Sequence, residues 1–132
     1  MLKKISIVLA DDDMEDIELF EEIILGLNPN AHLHHVTNGN ALLNFLDEKK
    51  DDELPGLIIL DYNMPVLNGS EVLCMLNSNK RYKPIKKMIL STSGSENHIK
   101  ECLNNGADGY FVKPDNMLEL EALMKKMLAT FE

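Results

Sequence analysis

Leu57-Ile58-Ile59-Leu60-Asp61-Tyr62-Asn63-Met64-Pro65 is the stretch on which the fold of this chain turns. Four apolar residues in a row, with no inside–outside alternation, are what a strand buried on both faces requires, as in a parallel sheet. The run stops at a carboxylate, and a proline soon follows. Other apolar runs also end abruptly at polar or charged residues. Residues 5–10 lead into Asp11-Asp12-Asp13, residues 87–91 lead into Thr92, and Tyr110-Phe111-Val112 leads into Lys113. A shorter, more polar run at residues 32–36 fits an edge strand.

Helical periods separate these runs. Residues 14–27 place Ile17, Phe20, Ile24 and Leu27 on one stripe, with Asp13 as a cap and Asn28-Pro29 as a stop. Residues 40–48 carry Leu42, Leu43, Phe45 and Leu46. Residues 70–77 carry Val72, Leu73 and Leu76, with Ser70 or Asn68 as cap. Residues 95–104 carry Ile99, Cys102 and Leu103, with Gly106 just past the end. Residues 115–131 carry Leu120, Leu123, Met127 and Phe131. A β-α unit repeated five times predicts an α/β fold, a doubly wound three-layer domain with a five-stranded parallel sheet. One domain over residues 1–132 is expected, and the charged tract at residues 49–53 reads as a solvated loop.

The bulk numbers narrow the function. The 132 residues carry 22 acidic and 13 basic side chains, a net charge of -9, which disfavours direct nucleic-acid binding. Met1-Leu2-Lys3-Lys4 precedes an apolar run too short for a signal peptide, and no stretch is long enough to span a bilayer, so a soluble cytoplasmic protein is expected and no membrane partner. Cys74 and Cys102 are expected to be small buried hydrophobes rather than a disulfide or metal pair.

In an open parallel sheet, working residues gather beyond the carboxyl ends of the strands. Asp11, Asp12, Asp61, Thr92 and Lys113 all fall there. Crowded carboxylates repel unless a cation intervenes, and magnesium prefers such oxygen ligands. A carboxylate can attack phosphorus and form an acyl phosphate. Phosphoryl transfer asks mainly for alignment and charge neutralisation. Asp61 as nucleophile, with magnesium, Lys113 and the Thr92 hydroxyl each on one phosphoryl oxygen, uses every residue once.

These motifs resemble the receiver domain of two-component response regulators. The resemblance rests on Val8-Leu9-Ala10-Asp11-Asp12, Leu60-Asp61-Tyr62-Asn63-Met64-Pro65 with Asn68-Gly69, Leu90-Ser91-Thr92-Ser93, and Gly109-Tyr110-Phe111-Val112-Lys113-Pro114, in the family's order and spacing. It implies the flavodoxin-like strand order 2-1-3-4-5. It implies that Asp61 accepts a phosphoryl group from a histidine kinase or histidine phosphotransfer protein. Asp12, Asp61 and the backbone carbonyl of Asn63 then bind magnesium, and Asp11 helps through water. Lys113 pairs with the phosphoryl group, Thr92 moves in to it, and Tyr110 turns inward behind Thr92. The Lys113–Pro114 bond is expected to be cis. Gly94 leaves the phosphoryl group more open to water than a larger residue would. The chain stops at its last helix, which is expected of a stand-alone receiver that switches a downstream protein, and residues 14–27 with Leu90-Ser91-Thr92-Ser93 look like the small receivers paired with bacterial phytochromes.

Two other functions compete. A haloacid-dehalogenase-type phosphatase also uses a strand-end aspartate, but has a second acid where this chain has Asn63. A receiver-like scaffold that is never phosphorylated is expected to have lost the acid pair or the lysine. Several residues carry bland readings. Asp13 is a cap rather than a ligand. His32, His34 and His35 lie on an exposed edge strand, and His98 is a solvated helix residue. Leu19 and Ile23, like Met117 and Met124, are core by default, with a kinase-docking patch and a homodimer across the last helix as the alternatives.

Overall fold

The computed structural model describes residues 5–131, except the side chain of Phe131, the last position of the expected stripe. The Met1-Leu2-Lys3-Lys4 start lies outside the described residues. Strand β1 (Ser6–Ala10) is flanked by β2 (His32–Val36) and β3 (Leu57–Leu60), and β4 (Lys86–Ser91) and β5 (Gly109–Val112) follow. All pairs are parallel, in the order β2-β1-β3-β4-β5. The continuous apolar runs have their reason here. Ile7, Leu9, Leu57, Ile59, Met88 and Leu90 face one helical layer, while Val8, Ala10, Ile58, Leu60 and Ile89 face the other. Successive side chains of a strand point to opposite faces, so a strand covered on both must be apolar throughout.

Helices α1 (Met14–Leu27) and α5 (Met117–Phe131) cover the first face, and α2 (Gly39–Asp47), α3 (Gly69–Asn77) and α4 (Glu96–Asn104) the second. Asp13 caps α1, as expected, by accepting from the backbone N–H of Glu15 and Asp16. Of the two caps offered for α3, Asn68 does the work: it accepts from Glu71 N at 2.9 Å, and Glu71 returns the bond to Asn68 N at 3.0 Å. Helix α5 starts two residues later than expected, because the Asn116 side chain captures Glu119 N at 2.9 Å and defines the first turn. Ile23 and Met124 are core, and Leu19 packs against them, while Met117 is 47% exposed.

Three expectations fail. The Lys113–Pro114 bond is trans, and no cis peptide occurs among the described residues. Trans is the lower form even before proline, by roughly 0.5–1 kcal/mol. Cys102 is buried but Cys74 is exposed, because α3 turns Val72, Leu73 and Leu76 to the core and position 74 falls off that stripe. On α4 only Cys102 is buried, and Leu103 is 47% exposed. That helix covers the sheet margin near β5, an edge strand whose residues are only half-buried or exposed.

Candidate functional site

Three backbone hydrogen bonds carry the sheet ladder one residue past the strands and so aim three charged side chains. Asp11 N donates to Val36 O at 3.1 Å, Asp61 N to Ala10 O at 2.9 Å, and Lys113 N to Ser91 O at 2.7 Å. Residues 102 positions apart in sequence thereby meet. One carboxylate oxygen from each of Asp11, Asp12 and Asp61 lies within 4.8 Å of the other two. Asp11 and Asp61 are buried and Asp12 is exposed. The Lys113 ammonium stands 2.8 Å from Asp11 Oδ2, 2.9 Å from Asp16 Oδ2 and 3.5 Å from Asp61 Oδ2.

The electrostatics are uneven. Burial pushes the Asp11 carboxyl up to about 6, against the hydrogen bonds from Lys113 and from the N–H of Asp13. Burial alone would lower Lys113, but its bonds to Asp11 and Asp16 and the charge of Asp61 outweigh it, so the lysine is held above its ordinary range. The ammonium is therefore permanent and Asp11 is the group that yields. Three hard oxygen donors around one opening suit magnesium, calcium or manganese rather than a softer metal. Burial disfavours the ionised form of Asp11, and a dication beside it would relieve that penalty.

The loop after Asp61 is packed onto the site. Gly69 N donates to Tyr62 O at 2.8 Å, and a Cβ at position 69 would stand 2.7 Å from Asp61 O and 2.9 Å from Tyr62 Cα. Only glycine lets α3 start this close. At the tip of this loop Val66 has φ +69° and is 86% exposed, a costly backbone for a β-branched residue. Asn63 N lies 3.3 Å from Asp61 Oδ1, which puts Asn63 at the rim. Thr92 follows β4 directly and its side chain is exposed. Tyr110 is half-buried against the core, and its hydroxyl donates to Ser93 O at 2.7 Å. At Gly94 an added Cβ would find only Val112 Cγ2, at 3.9 Å, so the place beside Thr92 is open.

Asp16 is a partner that sequence reading missed. Its first-turn position on α1 reads as ordinary helix-dipole chemistry, and only the fold shows Lys113 opposite it. His98 is a correction. It is half-buried rather than solvated: its ring stacks on Tyr62 at 3.9 Å and its Nδ1 lies 2.6 Å from Ser93 Oγ. The cause is the first turn of α4, which brings position 98 over the end of β3. The other histidines are as expected. His32, His34 and His35 are exposed on the edge strand, with His34 stacked on Phe45 at 4.0 Å.

Among the described residues, no helix is long and apolar enough to cross a membrane. The response regulator receiver domain family matches residues 7–125. Chemotaxis protein CheV2 of Helicobacter pylori is 30% identical over 125 residues, which cover 93% of this chain and 38% of that protein. The chain thus spans well under half of that relative. Among solved structures, the phosphorylated cyanobacterial phytochrome response regulator RcpA superposes with a TM-score of 0.89 at 26% identity, over 98% of this chain and 94% of that one. The Mn(2+)-bound form of response regulator Rcp1 superposes with a TM-score of 0.84 at 26% identity, over 95% and 92%. With its strand order, its strand-end acids and this match along almost the whole chain, the protein belongs to the response regulator receiver domain family, a family of signalling domains rather than of classical enzymes.

Proposed function

We propose that this chain is the phosphoacceptor of a two-component phosphorelay, a cytoplasmic receiver domain over residues 1–132. Asp61 attacks the phosphorus of a phosphohistidine on a histidine kinase or phosphotransfer protein. The new bond is from the Asp61 carboxylate oxygen to phosphorus, and the bond broken is phosphorus to imidazole nitrogen. The observation that carries this reading is the convergence on Asp61 of two further carboxylates and one ammonium, with Lys113 Nζ 3.5 Å from Asp61 Oδ2.

Asp12 and Asp61, with the Asn63 carbonyl, would hold magnesium, and Asp11 would act through water. That ion supplies charge neutralisation on a phosphoryl oxygen. Lys113 neutralises a second oxygen. Its bonds to Asp11 and Asp16 aim it before the phosphoryl group arrives, so little reorganisation is needed. Thr92 takes the third oxygen, and Tyr110 follows it inward, giving a second packing that a downstream protein reads. The chain catalyses only its own phosphorylation and dephosphorylation.

The test is labelling by a small phosphodonor with magnesium. Wild type should take up phosphate, and Asp61→Asn should not. Equal labelling of both sinks the assignment. A phosphatase of the haloacid dehalogenase type would instead turn over ordinary phosphate esters, and a scaffold would ignore the donor.

A further inference from the structure

Beside the acid cluster, four side chains tie β3, the β4–α4 loop and α4 together. Tyr62 follows Asp61 directly and is only 7% exposed. Its hydroxyl donates to Glu101 Oε2 at 2.9 Å, and its ring carries the His98 imidazole at 3.9 Å, 14° from parallel. His98 Nδ1 lies 2.6 Å from Ser93 Oγ. Ser93 is the neighbour of Thr92, and its carbonyl accepts from the Tyr110 hydroxyl at 2.7 Å. Burial and the bond to Glu101 push the Tyr62 phenol up to about 12, so it remains a donor.

We propose that His98 is a latch: seated on Tyr62 and hydrogen-bonded to Ser93, it holds the loop carrying Thr92 in the position seen here, and Thr92 reaches a phosphoryl group on Asp61 only when that hydrogen bond is released. The inference rests on the phosphoacceptor reading of Asp61. Its physical content is a difference in mobility between the two partners. The imidazole is fixed from below, because Tyr62 is buried and pinned at both ends. The serine travels with Thr92, whose side chain is exposed while the Asp61 carboxylate is buried. The bond measures 2.6 Å, and a loop shift of about 1 Å away from the imidazole would carry it beyond the range of about 2.7–3.2 Å in which such bonds hold. Movement of Thr92 toward Asp61 therefore works against this contact. His98 touches no reacting atom; it is a positioning residue that biases the resting packing.

The test is the affinity for beryllofluoride, a phosphoryl mimic, in the presence of magnesium, measured by calorimetry. Two variants remove the bond from either side. Ser93→Ala deletes the hydroxyl, and His98→Phe keeps the stack on Tyr62 while deleting the ring nitrogens. Each should bind the mimic roughly threefold to tenfold tighter than wild type, the weight of one net hydrogen bond. The double variant should be no tighter than either single, because both remove one and the same contact. Single variants that bind as wild type does or more weakly, or singles whose effects add in the double, overturn the latch. If His98→Phe does not fold, Ser93→Ala decides alone, tighter binding supporting the latch and any other result overturning it. Silence from wild type itself overturns the phosphoacceptor reading and the latch with it, a failure distinguishable because it precedes any substitution.

Discussion

Replacing Lys113 by methionine keeps an unbranched apolar side chain and deletes the ammonium, which stands 5.5 Å from the centre of the Phe20 ring and holds the acid cluster together. The side chains concerned are nearly dry: Lys113 is 9% exposed, Asp11 4% and Asp61 8%. Removing one partner of a buried pair typically costs about 3–5 kcal/mol, because the survivor stays charged and unpaired. Here the survivor has an escape, since Asp11 can take up a proton. Burial already holds the Asp11 carboxyl at about 6, so taking up the proton in the folded protein costs about 1.4 kcal/mol per pH unit above that value, and the loss is capped at about 2 kcal/mol near pH 7.5. At about pH 5.5, below that value, Asp11 is already mostly protonated and the cap falls close to zero. The Lys113→Met variant should thus be about 2 kcal/mol less stable than wild type at the higher pH and recover most of the difference at the lower. Urea unfolding of both proteins at the two pH values reads this directly. A deficit below about 1 kcal/mol at the higher pH, or one of equal size at both, would refute the reasoning, because a buried uncompensated charge could produce neither.

Further outcomes follow from the same geometry. The Asp11 carboxyl, raised to about 6 by burial, binds its proton more tightly in the folded state than in the unfolded one. Its contribution to stability is therefore fully present below about pH 4 and is lost as the pH rises toward 6, a change on the order of 3 kcal/mol. Millimolar magnesium should cancel that loss and Asp11→Asn should abolish it; a wild type whose pH profile matches that of Asp11→Asn with and without magnesium would contradict the assignment. Gly69→Ala sets a Cβ against the backbone of Asp61 and Tyr62. It should cost about 1–3 kcal/mol in thermal or urea unfolding and slow labelling by a phosphodonor, whereas an unperturbed variant would mean the loop yields freely. Lys87→Met removes a buried ammonium that donates to Ile85 O at 2.7 Å and Lys83 O at 3.0 Å. Leaving those carbonyls unsatisfied should lower stability by about 1–3 kcal/mol, measured by urea unfolding, and a gain in stability would show that desolvating the charge had outweighed its bonds.

Lys87 also shows where reading the chain stops. Its position opens a strand, and nothing local says that it is 1% exposed with its nitrogen folded back onto the turn before it. Cys74 and Leu103 fail for a related reason. Spacing defines a helix stripe, but the width of that stripe depends on how much sheet the helix covers, and α3 and α4 cover unequal amounts. His98 was misjudged because its partners, Tyr62 and Ser93, come from two other segments. Asp13, by contrast, was legible, since a cap involves only the next few residues.

Local order determined most of the architecture. Uninterrupted apolar runs such as Leu57–Leu60 demand cover on both faces, and their alternation with helical periods leaves few arrangements besides a parallel five-stranded sheet. The order of residues also placed acids and a lysine at strand ends. What the chain order did not hold was the set of distances among them. The approach of Lys113 to Asp11, Asp16 and Asp61, and the seat of His98 on Tyr62, exist only because the sheet order and its twist bring four distant segments to one edge. Electrostatic and hydrogen-bond energies depend steeply on those separations, so the chemistry of the site was decided by tertiary structure.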